Sequence, residues 1–499
     1  MDAFLSFKIQ SGHRIKTSMI GFLIGIAVHS FFPLVVIPIN YLWLMVGLIV
    51  VLFIFIKHSN LSGLFAVFIL SIICGVLRFD FSVPRLDVLS GLQSSHFEAS
   101  VQSNQSGQYG RQSLVNIRQP FKDNKISILA RLSVIDSPPI GSRIFFSCNL
   151  KLYPKKSSET QTAYAARLKQ AQMYCSPTKI IIIQSPAWWD VREQLALLRQ
   201  NITRRISANL PGDDGILIAG MLYGERGMSA AAQEAFRRAG LTHLIAVSGS
   251  NFSIIVTLVS SILLGLGINR KQSFKLTTLI MVIFVAFVGF SSSVLRAAVM
   301  GWVVLLSRRV GRLPRIWHVI TLSACILCLL DPWVLAYDVG FALSFLATIG
   351  LIIWTKYFDK LLFFLPTLGG VREAAATTFS ATLMTLPYMA FYFERMSLAG
   401  LLTNCLAVPI VPWTMLFGFI SAIWGHLAGW QIVSLPAQGS ARIIFLASRI
   451  VDFVPWLDIH IHGMNLLYML VTYIFIAICW LCVAKKNVYP QVKSLFVKR

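Results

Sequence analysis

Long apolar runs recur along this chain, and they restrict it to one class of fold. The clearest are Thr17–Pro38, Tyr41–Ile56, Leu61–Leu77, Thr277–Phe290, Val294–Leu306, Gly340–Trp354 and Leu466–Val483. A helix that crosses a bilayer needs about 18 or more apolar residues, and these runs reach or approach that length. With 56% hydrophobic residues and a mean hydropathy of +0.70, the chain is too apolar for a soluble globule of 499 residues. The first run is long and others follow closely, so it reads as a span and not as a cleaved signal segment. The expected fold is a polytopic α-helical membrane protein with an inserted small OB-like β-barrel domain outside the membrane.

Charge sets the orientation. The formal net charge is +24, from 44 Lys and Arg against 20 Asp and Glu. The usual excess of basic residues in cytoplasmic loops covers about half of it. The remainder suits an anionic partner, membrane lipid headgroups or nucleic acid. Lys8, Arg14 and Lys16 precede the first span and Lys57 follows the second, whereas the turn around Pro38-Ile39-Asn40 carries no basic residue. The N-terminus is therefore expected in the cytoplasm, with the third span leaving on the outer side near Arg78. The tail KKNVYPQVKSLFVKR reads as cytoplasmic too. Two inside termini require an even number of spans, about twelve when broken helices are allowed for.

From 81 to 185 the pattern changes. Alternation replaces the apolar runs: Ile126, Ile128, Ala130, Leu132 and Val134 share one face, as do Ile144, Phe146, Cys148, Leu150 and Leu152. Period two marks half-buried strands. Further strands are expected at Phe97–Ser103, Gln112–Arg118 and Lys179–Gln184, with Pro138-Pro139-Ile140-Gly141 at a hairpin position. Five short strands suit a small OB-like barrel. The segment carries 13 Lys and Arg against 5 Asp and Glu. Such a surface holds single-stranded nucleic acid by phosphate attraction and base stacking; equally, the aromatics fill the core and the charge faces water. Of eight cysteines, six lie in apolar runs, including two CxxC spacings (Cys325, Cys328 and Cys479, Cys482) that read as packing. Cys148 and Cys175 belong to the outside domain, where a disulfide between them would close the excursion 153–173.

Next comes a basic amphipathic helix. Leu195, Leu198, Ile202, Ile206 and Leu210 form a stripe, with Arg192, Arg199, Arg204 and Arg205 among the polar positions and Trp188 and Trp189 ahead of it. It reads as lying on the membrane surface, or else as packed on the barrel. A short helix at Ile216–Tyr223 is broken by Gly224-Glu225-Arg226-Gly227, and a second ends at Phe236-Arg237-Arg238-Ala239 with Gly240 as its stop.

LTHLIAVSGSNFSIIV sets Ser248-Gly249-Ser250-Asn251 between apolar flanks. Small residues let helices approach closely. Alternatively, a break here exposes N–H groups at a fresh helix N-terminus, which favours anions beside His243, Arg237 and Arg238. Neither flanking glycine of an esterase elbow is present, and no Walker A motif occurs. Arg296, Asp338, Glu394 and Asn404 are further polar groups within or beside apolar runs, where ionisable residues face an interior or a pathway.

AFRRAGLTHLIAVSGSNFSIIV, GFSSSVLRAAVM, DPWVLAYDVGFALSF and TLPYMAFYFERMSLAGLLTNCLAVPIV occur in this order. They closely resemble the competence domain of the ComEC family of DNA-internalisation proteins, and GMLYGERGMS looks like that family's LGxR-type loop. The resemblance covers nearly the whole chain and is most specific in the competence blocks. It implies a channel that passes single-stranded DNA across the cytoplasmic membrane during natural transformation. It places Arg226, Arg237, Arg238, His243, Ser248, Gly249, Arg296, Asp338, Glu394 and Asn404 on matching motif positions, with Ser250 and Asn251 beside them along the DNA path. Family members commonly read SGLH where this chain has Ser248-Gly249-Ser250-Asn251, so Asn stands in place of a titrating imidazole. Many continue into a metallo-β-lactamase-like nuclease domain; the chain resembles a short form without it, and Asp458-Ile459-His460-Ile461-His462 reads as an outer loop and not as a metal site.

The expected organisation is N-terminal membrane helices at 1–80, the β-domain at 81–185, surface helices at 186–240, a competence-type channel at 241–485 and a basic cytoplasmic tail at 486–499. No cofactor is expected and no catalytic residue is assigned. The implied partners are single-stranded DNA, membrane lipid, a separate nuclease, an outer-side DNA receptor and a cytoplasmic motor ATPase; oligomeric state is left open. A transporter for a small anionic solute, or a membrane enzyme acting on an envelope polymer, fits the composition as well.

Overall fold

The computed structural model describes residues 2–31, 60–82, 96–107, 110–121, 124–134, 138–148, 151–152, 173–177, 179–185, 190–225, 227–245, 249–289, 292–310, 316–366, 370–424, 432, 434–453, 455–461 and 465–496. The chain divides into two compact units, one of residues 1–227 with 246–342, the other of 228–245 with 343–499.

The first unit begins with α1 (Asp2–Phe31) and α2 (Asn60–Asp80), which pack on each other. Small residues make this possible. A Cβ on Gly25 would run into the Ile72 carbonyl, and one on Gly75 into the Phe22 carbonyl. Glycine here brings the two backbones together, as in membrane helix pairs. The second expected span, 41–56, lies outside the described residues.

A seven-stranded sheet follows, made of β1 (His96–Gly107), β2 (Gly110–Phe121), β3 (Asn124–Val134), β4 (Arg143–Ser147), β5 (Lys151–Leu152), β6 (Met173–Cys175) and β7 (Lys179–Gln184), in the order β5-β6-β3-β2-β1-β4-β7. It is a separate, curled half-barrel. Alternation builds its core: Phe97, Ala99 and Val101 of β1 meet Val115, Ile117, Leu132, Ile144 and Phe146. A bulge between Val101 and Ser103 bends β1 and deepens the curl. Two expectations change. Among the described residues there are seven strands and not five: the expected run 144–152 divides into β4 and β5, and the three-residue β6 is too short to leave a periodic signal. The Pro138–Gly141 turn is not a hairpin: both flanks of β3 are taken, by β2 and by β6, so β4 pairs with β1 instead. Cys148 and Cys175 form a disulfide, Cα–Cα 6.3 Å, at the edge of this core.

The unit continues with α3 (Val191–Asn209) and α4 (Asp213–Tyr223). The α3 stripe divides along its length. Ile206 and Leu210 are fully buried, whereas Leu198 is 48% exposed. Arg199 anchors the middle, its guanidinium donating to the Val288 carbonyl at 3.4 Å. Burial pulls the Arg199 pKa below its ordinary value, with the Glu225 carboxylate opposing. Gly224, at φ 79°, ends α4 in the left-handed conformation that glycine takes freely. The chain then passes through α5 (Ala230–Arg238) and α6 (Thr242–Ile245), which belong to the second unit, and returns as α7 (Gly249–Gly265), α8 (Arg270–Val288), α9 (Ser292–Arg309), α10 (Ile316–Leu330), α11 (Val334–Tyr337) and the start of α12 (Val339–Leu361). Phe252, Val256, Met281, Val285, Val294 and Ala297 join α7, α8 and α9 in one apolar cluster.

The second unit holds α5, α6, the rest of α12, α13 (Val371–Phe393), β8 (Arg395–Ser397), α14 (Ala399–Ala407), α15 (Val411–Trp424), α16 (Leu435–Phe453), β9 (Asp458–His460) and α17 (Leu466–Phe496). β8 and β9 pair antiparallel. By length and composition two described helices, α8 and α12, suffice to cross a membrane, or three if the α14–α15 pair, bent by 49°, is one broken span. Shorter apolar helices occur at Ile15–Ser30, Asn251–Gly265, Ser293–Ser307, Ile316–Leu330 and Leu466–Cys482.

Candidate functional site

In the first unit the structure brings Arg296 and Asp338 together. Arg296 sits one turn into α9. Its Nη1 donates to Asp338 Oδ2 at 3.3 Å, with side-chain exposures of only 9% and 11%. Asp338 is extended, between α11 and α12, and its Oδ1 accepts from the Phe341 N–H at 3.2 Å. One carboxylate oxygen thus caps the N-terminus of α12 while the other holds a guanidinium. Gly340 leaves the room for this: a Cβ there would lie 3.1 Å from both Arg296 Nη2 and Asp338 Oδ1.

The chain around Asp338 is clamped. Trp333 is buried against Phe79 and Tyr337, at ring-centroid distances of 4.8 and 5.6 Å. The Tyr337 hydroxyl donates to the Ser30 carbonyl at 2.7 Å. Arg78 donates from Nε and Nη2 to the Leu329 and Leu330 carbonyls at 2.8 and 3.0 Å, satisfying the end of α10. The N-terminal helix pair is in this way part of the support for the ion pair.

Of the SGSN tetrad, Asn251 is fully buried and its Nδ2 donates to the Met221 carbonyl at 3.3 Å, joining α7 to α4. α7 starts at Gly249, where a Cβ would make ordinary contact with Ala297 at 3.9 Å. Ser250 lies in the first turn of α7. Ser248 and Arg226 lie outside the described residues.

In the second unit the basic end of α5 forms a tied helix terminus. Ser229 Oγ accepts from the Ala232 N–H at 3.2 Å and starts the helix. Gly240, at φ 69°, stops it, with the Leu241 N–H reaching back to the Phe236 carbonyl at 2.8 Å. Two side chains satisfy the last carbonyls: Ser397 Oγ donates to Arg238 O at 2.5 Å and Thr403 Oγ1 to Ala239 O at 2.7 Å. A Cβ on Gly240 would sit 3.0 Å from Gly400 Cα, so glycine also sets how closely α14 approaches. Phe236 packs edge-on to Phe445 at 5.2 Å, a contact of about 0.5–1.5 kcal/mol beyond its burial.

Arg237 is half-exposed and holds Glu234 in a bidentate pair at 2.7 and 2.8 Å. Arg238 reaches Asp452 at 3.0 Å. His243 Nδ1 lies 3.2 Å from the Gly240 carbonyl. Asn404 follows Thr403 on α14, half-buried, its Nδ2 at the edge of the Gly400 approach. Glu394 is exposed and takes a left-handed conformation, φ 53°, at the end of α13; its carbonyl accepts from the Ile461 N–H at 2.9 Å, so it forms the corner leading into β8. Asp458 and His460 pair with Ser397 and Arg395 across the small sheet, and His462 lies outside the described residues. Among the described residues no group of three or more His, Cys, Asp and Glu is placed to hold a metal.

Sequence reading missed the partners. Gly340 two residues after Asp338, and the Ser397 and Thr403 hydroxyls, carry no motif of their own. Asp452 and Glu234 compensate the two arginines, and only Glu234, three residues before Arg237 on one helix, had a readable spacing.

The Competence protein family model matches residues 221–486. This chain belongs to the Competence protein family. Every residue named for the DNA path lies inside that Competence protein match, and the β-domain lies ahead of it. ComE operon protein 3 of Bacillus subtilis (strain 168) is 29% identical over 227 residues, covering 45% of this chain and 28% of that protein. Recombination protein 2 of Haemophilus influenzae is 25% identical over 298 residues, covering 56% of this chain and 36% of that protein. The match therefore spans about a third or less of each relative's length. No solved structure matches this member of the Competence family.

Proposed function

We propose that the chain passes single-stranded DNA across the cytoplasmic membrane during natural transformation. The observation that carries this is the Competence protein match, which encloses Arg237, Arg238, Asn251, Arg296, Asp338 and Asn404. The apolar helices and the strongly basic composition support it. The reading includes a polytopic protein with both termini in the cytoplasm, and the domain boundaries expected from sequence. It places the curled sheet outside as an OB-like domain. The disulfide supports an oxidising outer location for that sheet. Single-stranded DNA and membrane lipid are its direct partners. Strand degradation, outer capture and the driving ATPase come from separate proteins.

The buried, compensated state of Arg296 supports a framework role for it in this reading, because a guanidinium already paired with a carboxylate has little to offer a phosphate. Arg237 is half-exposed on the same unit that ends in the tied helix, and is the better group to meet DNA. The test is uptake of labelled DNA in a deletion strain complemented with the chain or with Arg237→Glu. Uptake restored by the first and lost with the second, at equal membrane abundance, is expected. Uptake unaffected by deletion overturns the function; uptake unaffected by Arg237→Glu overturns the role of that residue.

A further inference from the structure

The outer face of the β-sheet edge is apolar where an edge strand is ordinarily guarded. β7 reads Lys179-Ile180-Ile181-Ile182-Ile183-Gln184 and is the last strand of the sheet. Its register with β4 sets Ile180 opposite the buried Phe146, where it packs on the core, and Ile182 opposite the buried Ile144, although Ile182 is itself 47% exposed. Ile181 lies opposite Phe145 on the other face. There Phe145, Ile181 and Ile183 are 37%, 49% and 54% exposed. Among the described residues no charge, proline or covering element guards these four successive isoleucines, an arrangement that soluble edge strands avoid. Something covers this face.

The chain itself indicates what. Six residues after β7, α3 begins, and its N-terminal half exposes Val191 at 68%, Leu197 at 44% and Leu198 at 48%. The intervening link can span at most about 20 Å, and it contains Trp188 and Trp189, the residue type that favours the membrane–water interface. Farther along α3 the exposed residues include Arg204 and Arg205, cations suited to anionic headgroups. A second copy pairing along the β7 edge would satisfy its backbone yet leave the Phe145–Ile181 face and the start of α3 bare. A lipid surface accounts for the sheet face, the tryptophans and the helix together.

We propose that the outer face of β4 and β7 docks on the lipid surface together with the N-terminal half of α3, so that the β-domain rests on the bilayer by its apolar edge. The proposal rests on the membrane reading given above.

The test uses the full chain in vesicles of phosphatidylethanolamine and phosphatidylglycerol, with a photoreactive benzoylphenylalanine in place of Ile181. A parallel chain carries it at Val282, an exposed α8 position in an apolar helix long enough to cross a membrane. Phospholipid adducts at both positions, lost at 181 but kept at 282 when Ile183→Asp and Leu198→Asp are added, are the expected result. Lipid adducts at 282 with none at 181, or a cross-link from 181 to β7 of a second copy, overturn the docking and leave the membrane reading standing. No lipid adduct at either position overturns both.

Discussion

Asp338→Asn separates the two jobs of one carboxylate. Asparagine caps a helix about as well as aspartate, so the bond from Phe341 N–H survives. What is lost is the charge facing Arg296. At 3.3 Å the pair attraction is about 5 kcal/mol for an effective dielectric of about 20, and burial of both ions offsets much of it. Removing one partner keeps the burial cost without the attraction, which typically costs about 3–5 kcal/mol. Arg296→Met costs less, because the Phe341 N–H and the N-terminus of α12 continue to face the carboxylate. The double variant Arg296→Met with Asp338→Asn leaves no buried charge and recovers most of the loss, a coupling of about 2–3 kcal/mol. Unfolding in detergent is followed by labelling of Cys328, which is fully buried in α10 of the same unit. Single variants that differ from the parent by less than about 0.5 kcal/mol, or losses that simply add, would refute the account. The double variant also separates scaffold from pathway: uptake of DNA by a folded double variant places the pair in the framework.

Three further variants have outcomes set by the geometry. Gly240→Ala carries both a left-handed φ of 69° and a Cβ 3.0 Å from Gly400 Cα, so a loss of about 2–3 kcal/mol is expected in thermal unfolding; Gly400→Ala, whose Cβ meets Gly240 at an ordinary 3.6 Å, is neutral or stabilising because alanine favours the helix by about 1 kcal/mol. Cys148→Ser opens a loop of 27 residues, with a loss of about 3.5 kcal/mol in the β-domain by the loop-entropy estimate, read as faster cleavage of the domain by an externally added protease while the helical fragments persist.

Sequence made visible the features that repeat at short range. Alternation in 97–101 and 144–146 marked strands that the core confirms, because each buried residue has its exposed neighbour beside it. Gly240 was readable as a helix stop, since a left-handed residue after Arg237-Arg238 has few alternatives. What stayed hidden is the identity of partners far apart in the chain. Arg296 and Asp338 are separated by 42 residues, Arg238 and Ser397 by 159, Tyr337 and Ser30 by 307. No period links such residues, so the sequence registers each as an isolated polar group in apolar surroundings. An isolated buried ion looks in sequence like a site for an external ligand, whereas the structure gives Arg296 an internal counter-ion in Asp338.

The same contrast bears on where DNA contacts should be sought. Burying an ion is tolerated only with a partner, and the buried Arg296 already has one in Asp338, which makes it a poorer candidate for phosphate contact than an exposed arginine. A pathway for a polymer has to bind weakly and at many points, or the polymer stalls. Half-exposed arginines held by replaceable surface carboxylates meet that demand: Arg237 with Glu234, and Arg238 with Asp452, can exchange a carboxylate for a phosphate at small net cost, since exposed ion pairs contribute only about 0–1 kcal/mol. Glu234→Gln should therefore strengthen DNA binding by the full-length protein at low salt, and the gain should vanish as ionic strength rises. A gain that persisted in high salt would mean that Glu234 positions Arg237 and does not compete with the phosphate.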